Sequence, residues 1–125
     1  MSEIRATTIS DAAGTGPITL TGQSAAKAWV NFNGTGTIAA RDSLNVSGLI
    51  DYATGVYGVS LTNSFSAANY ATGVSCDNQP GVTSFATVVT DDRAVGGISL
   101  VVSQFASNIF FDCENVDCLF HGDLA

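Results

Sequence analysis

Residues 23–62 read QSAAKAWVNFNGTGTIAARDSLNVSGLIDYATGVYGVSLT, and this run decides the fold. Ala26, Ala28, Val30 and Phe32 share one parity, and Lys27, Trp29 and Asn31 share the other. That is the period of a strand with one buried face. Asn33-Gly34-Thr35-Gly36 supplies residues that tolerate positive φ, so a turn is expected there. Ile38 restarts a strand and Asp42-Ser43 punctuates it. Leu44, Val46 and Gly48 then alternate with Asn45, Ser47 and Leu49. Tyr52-Ala53-Thr54-Gly55 marks the next turn, after which Tyr57, Val59 and Leu61 repeat the two-residue period. Turn signals spaced about 8–12 residues apart predict an all-β chain, an antiparallel β-sandwich or jelly-roll-like module.

Working outward, the same habit continues to the C-terminus. Candidate strands are Tyr70–Cys76, Thr83–Thr90, Val95–Gln104, Asn108–Cys113 and Val116–His121. Asp77-Asn78-Gln79-Pro80-Gly81 and Asp91-Asp92-Arg93 separate them. Ile98–Ser103 (ISLVVS) is apolar on both parities, which predicts a central strand covered on both faces. No window carries helical periodicity; Asn63–Tyr70 could hold one helical turn at most. Toward the N-terminus, Ile4, Ile9, Ile18 and Leu20 lie on two short alternating stretches around the corner DAAGTGP. The expected division is an anchoring or intertwining strand segment over 1–22 and a sandwich domain over 23–125. The N-terminal pair cannot bury its apolar rows alone; it needs the main domain or sister chains.

The 125 residues suffice for one core. Only 12% are charged, and the formal net charge is −7. The four basic residues, Arg5, Lys27, Arg41 and Arg93, are scattered and form no phosphate-tracking patch, so no nucleic-acid partner is expected. No stretch has the apolar length to span a bilayer, and MSEIRATTIS lacks the apolar centre of a secretory signal. Synthesis in a cytoplasm without membrane insertion is the expectation. With 46% apolar residues and so few charges, the flanks of this domain suit burial against a partner. A surface simply rich in Ser, Thr and Asn is the plainer alternative.

Few residues carry candidate chemistry. Cys113, Cys118 and His121 have the spacing Cys-x4-Cys-x2-His, but zinc needs three or four converging ligands, and residues five apart on a straight strand diverge. No metal or other cofactor is expected. The odd cysteine count argues against a closed intrachain disulfide framework; reduced buried thiols at Cys76, Cys113 and Cys118 are the simplest reading, with an intermolecular or turn-bridging disulfide left open. Asp91-Asp92 and Asp77-Asn78 fit solvated turns better than a calcium site or a glycosidase pair, which needs carboxylates facing across a cleft. His121 is the sole histidine and has no nucleophile or orienting acid beside it, so no catalytic residue is assigned and no enzyme is expected. Trp29, Tyr52, Tyr57 and Tyr70 could stack on sugar rings or could be core and interface residues. Trp29, mid-strand, favours core or interface; Tyr52, beside a turn, suits either role. Tyr52, Asp91 and Asp92 are therefore the candidate ligand-binding residues on surface loops.

Two pieces carry a resemblance: QSAAKAWVNFNGTG (Gln23–Gly36) and RDSLNVS (Arg41–Ser47), continued by the frame Asp51-x3-Gly55-x-Tyr57-x-Val59-x-Leu61 and by Ala68-Asn69-Tyr70. They are similar to the distal β-modules of bacteriophage tail fibres and related virion appendages. Ala40, where a larger apolar residue is usual, and the Ala53-Thr54 turn depart from that pattern. The resemblance implies a viral structural protein: a homotrimer, mounted on another virion protein through the N-terminal segment, contacting a host surface glycan or envelope component. It assigns Ile4, Ile9, Ile18, Leu20 and Trp29 to the trimer interface and anchor. A short head- or tail-mounted fibre is the first expectation. A capsid or tail decoration protein that stabilises without binding a receptor is the second. A polysaccharide-degrading enzyme using Asp91, Asp92, Asp112 or Asp117 is the third and weakest.

Overall fold

A computed structural model of the chain describes residues 25–77, 83–89, 92–105 and 109–125. The expectations for segment 1–22, for Ile4, Ile9, Ile18 and Leu20, and for Asp91 lie outside these residues. The elements are β1 (Ala28–Asn33), β2 (Ala39–Leu44), β3 (Val46–Ala53), β4 (Val56–Leu61), β5 (Ala71–Asp77), β6 (Ser84–Val88), β7 (Gly97–Gln104) and β8 (Asn115–His121). They form two antiparallel four-stranded sheets, ordered β2-β1-β8-β5 and β3-β4-β7-β6. No α-helix occurs among the described residues. The all-β sandwich expected from the two-residue periodicity is what forms.

The parity of the first strand is realised: Ala28, Val30 and Phe32 are buried while Trp29, Asn31 and Asn33 are half-buried. From the first sheet they meet Val116, Cys118 and Phe120; from the second, Tyr57, Val59, Leu61, Ile98, Leu100 and Val102. Phe32 and Tyr57 meet across the sandwich edge to face, their centroids 5.3 Å apart. Each large side chain fully buried here contributes about 1.5–3 kcal/mol. ISLVVS lies on β7, an inner strand between β4 and β6, with Ile98, Leu100 and Val102 inward and Ser99 and Ser103 also covered.

Three details differ from the sequence reading. The break expected at Asp42-Ser43 falls instead at Asn45, whose φ of 57° lets the chain turn from the edge of one sheet to the edge of the other. The Asn45 side chain then closes the corner, accepting from the Asn63 N–H (2.7 Å) and donating to the Lys27 and Asn63 carbonyls. Second, the alternation Leu44, Val46, Gly48 does not hold as one inward row. Val46 pairs with Leu61 and Gly48 with Ser60, so Ser47 is an extra, bulged residue. The bulge turns both Val46 and Leu49 toward the core, while Leu44 stays 48% exposed. Third, Asn108–Cys113 is not a strand. Its described part makes a single bridge, Phe110 to Ser103, plus hydrogen bonds from Phe111 N–H to Val102 and from Gln104 N–H to Ile109. Cys113 then dives into the core.

Candidate surface groove

The outer face of the second sheet carries a groove of 540 Å³. Its floor is backbone: Gly58 on β4 and Gly97 on β7, with Gly96 beside them. Ile50 and Tyr52 of β3 and Val56 of β4 wall one side; Asp92 and Ala94 wall the other; Ser60 and Ser99 add hydroxyls. Tyr52 is 57% exposed, and its Cε2 and Oη edge overhangs Gly58, where an added Cβ would lie 2.9 Å from Cε2 and 3.1 Å from Oη. Tyr52 and Asp92, separated by forty positions in the chain, thus line one hollow.

The far wall is held by a latch. Arg93 donates through Nη1 to the Tyr70 carbonyl and through Nη2 to Thr72 Oγ1 (3.0 Å), and its guanidinium lies 5.2 Å from the Tyr70 ring centroid. The Tyr70 hydroxyl lies 2.8 Å from the Ala94 carbonyl oxygen and 2.9 Å from that of Gly97. Beneath it, the Tyr70 ring stacks on Phe65 at 4.3 Å. Burial pushes the Tyr70 hydroxyl pKa up against the opposing pull of Arg93. These contacts bind the hairpin that follows Asp92 to β5, so the groove wall is seated on the core.

Tyr57 and Tyr70 are not available to stack on a ligand, a correction to their candidacy: both are buried, at 0% and 4% exposure. The Tyr57 hydroxyl lies 3.0 Å from the Gly34 carbonyl and 3.0 Å from Asp112 Oδ1, which also accepts the Gly55 N–H at 2.8 Å. Burial, then the Asp112 hydrogen bond, pushes its pKa well above the usual tyrosine range. Trp29 faces out from the first sheet. Across that sheet it sits in the row Leu44–Trp29–Leu119–Gly73, with Leu44 and Leu119 both more than 40% exposed. The neighbouring row is polar: Asn31 donates to Asp117 Oδ1 at 2.7 Å, and Ser75 donates to Asp117 Oδ2.

Asp92 is the one carboxylate lining the groove among the described residues. Asp112 and Asp117 are occupied elsewhere, so the arrangement offers an aromatic edge, hydroxyls and one acceptor carboxylate rather than an acid–base pair. Cys113 and Cys118 are both buried, whereas His121 lines a separate 340 Å³ hollow with Ser66, Asn69 and Asp123. No cluster of three or more His, Cys, Asp or Glu suited to a metal occurs among the described residues. An apolar tip also went unread in the sequence. Phe85, Phe105, Ile109 and Phe110 are exposed at one end of the second sheet, Phe85 and Phe110 flanking Ser103. Ile109-Phe110-Phe111 fell within an expected strand; without a ladder, Ile109 and Phe110 stay exposed while Phe111 packs against the core.

No protein-family model matches the chain, and neither a curated protein nor a solved structure does.

Proposed function

We propose that the protein is a virion adhesion module, a short homotrimeric fibre-like appendage whose groove around Tyr52 and Asp92 binds a neutral or amino sugar of a host surface glycan. The groove carries this reading. An exposed aromatic beside a glycine floor leaves room for a pyranose face, and the carboxylate and serine hydroxyls opposite can accept and donate to its hydroxyls. A single such site is weak. Three per trimer and many trimers per particle raise the avidity without any new contact. The likeness of Gln23–Gly36 and Arg41–Ser47 to phage fibre tips supports the setting. Titration of the purified chain with bacterial surface polysaccharides, read by saturation-transfer NMR, tests it. Transfer to sugar protons that is lost in Tyr52→Ala supports the proposal; transfer from none of a broad panel, or transfer unchanged in Tyr52→Ala, overturns it.

A decoration protein that binds no receptor is the second reading. It is favoured by the outward-facing apolar row Leu44–Trp29–Leu119, half-buried at Trp29 and exposed at both leucines, which suits permanent burial against a shell protein better than reversible contact. Particles lacking the protein would then lose heat stability while adsorbing to cells normally.

A further inference from the structure

Cys76 on β5 is half-buried and packs on the core; Val116 of β8 is its cross-strand partner. Cys113 lies just before β8 and is fully buried. Its thiol donates to the carbonyl of Asp77, the residue after Cys76, at 2.6 Å and to that of Asn115 at 3.3 Å, and the Cys76 thiol is near enough to add, behind burial, to the upward push on its pKa. Two core-packed thiols, one on a strand and one on the segment leading into its neighbour, are thus brought together at the end of β5. Cys118 does not share it. It stands opposite Val74, 2% exposed, its pKa pushed up to about 12 by burial and then by the Asp117 charge. All three are free thiols in this structure.

We propose that Cys76 and Cys113 form an intrachain disulfide when the protein meets an oxidising medium, and that Cys118 remains a thiol. The half-buried Cys76 reacts first. Its thiolate attacks one sulfur of a small disulfide such as oxidised glutathione, and one glutathione thiolate leaves. The Cys113 thiolate then attacks the Cys76 sulfur of the mixed disulfide and expels the second. The two cysteines lose two protons and two electrons, and the glutathione disulfide is reduced to two thiols. The bond would tie the end of β5 to the segment carrying Asp112, the acceptor for Gly55 and neighbour of Tyr57. It resolves the odd cysteine count into a pair and an inert third, and it does not depend on the groove.

The test equilibrates the full chain with graded ratios of oxidised to reduced glutathione, blocks remaining thiols with an alkylating reagent under denaturing conditions, and maps peptides without reduction. The expected product is a Cys76–Cys113 linked peptide from single chains, with Cys118 alkylated. Cys118→Ala should form the same link, and Cys76→Ala should leave Cys113 alkylated. The proposal is overturned if Cys76 stops at the glutathione adduct, if it links two chains, if Cys118 enters the bond, or if no thiol reacts at ratios that fully oxidise a vicinal dithiol control. Wild-type mapping alone decides the matter even where a variant folds poorly.

Discussion

Gly58 and Gly55 are glycines for different reasons, and substitutions separate them. At Gly58 a Cβ would meet the Tyr52 ring edge and the Ile50 Cβ at 2.9–3.3 Å, on the outside of the sheet. Gly58→Val should therefore push Tyr52 aside at little cost in stability, about 1 kcal/mol or less. Sugar affinity, followed by NMR titration, should fall roughly tenfold, the equivalent of about 1.4 kcal/mol. At Gly55 the backbone has φ of 66°, and a Cβ would lie 2.7 Å from the Phe111 N and O atoms. Those are backbone atoms and cannot swing away. Gly55→Ala should cost about 3 kcal/mol or more in chemical denaturation, because left-handed strain and a clash add together. Loss of binding in Gly58→Val without loss of fold would tie function to the groove formed by Gly58 and Tyr52.

Asn45 does for the strand pair β2 and β3 what glycine does for the β3–β4 turn, and adds hydrogen bonds. Asn45→Gly keeps the left-handed corner and loses the side-chain bonds to Lys27 and Asn63; Asn45→Ala loses both. Urea unfolding should show about 1–2 kcal/mol lost for Gly and about 1 kcal/mol more for Ala. Equal losses would show that backbone conformation plays no part. The corner was legible in kind but misplaced by two or three positions. Asp42-Ser43 are frequent turn residues, yet here they sit in the ladder opposite Asn31 and Val30, the aspartate side chain merely accepting the Ser43 N–H. The bulge at Ser47 left no local mark either. It exists because β3 must pair with β4 while turning both Val46 and Leu49 inward, a demand set by another strand.

At the scale of the whole molecule, burial holds several protons into high pH. Cys118 keeps its proton to about pH 12 when folded, against an ordinary value of 9.0. Between those values the unfolded chain binds fewer protons, so stability is intact below about pH 9 and falls as pH rises toward 12, by on the order of 4 kcal/mol at the limit. Burial raises Tyr57, Tyr70 and Cys113 in the same direction. Melting curves from pH 8 to 11 should therefore decline, and Cys118→Ala, though less stable at neutral pH, should decline less steeply. Equal slopes would sink this assignment. Self-association is the other molecular property at stake. Native mass should be near three chains, and Trp29→Lys or Leu119→Lys should lower it to one with melting little changed. A wild-type chain that stays single at high concentration would remove the trimer.

Alternation and turn chemistry were enough to define most of the strands and the inward faces of β1 and β4, because each depends on neighbours a few residues away; the inward face of β3 and the fate of Asn108–Cys113 were not legible in this way. Ala28, Val30, Phe32 and Val59 could be assigned to an inward face for that reason, whereas Tyr57 was left open between core and ligand stacking. Tyr52 and Asp92 could be suspected one by one, from an aromatic beside a turn and an acid in a loop. Their meeting over Gly58 could not, nor could the approach of Cys76 to Cys113 or the outward row through Trp29. Those depend on which strands become neighbours, and pairing is selected by the free energy of closing two sheets over one core, a sum over distant residues that no local pattern contains.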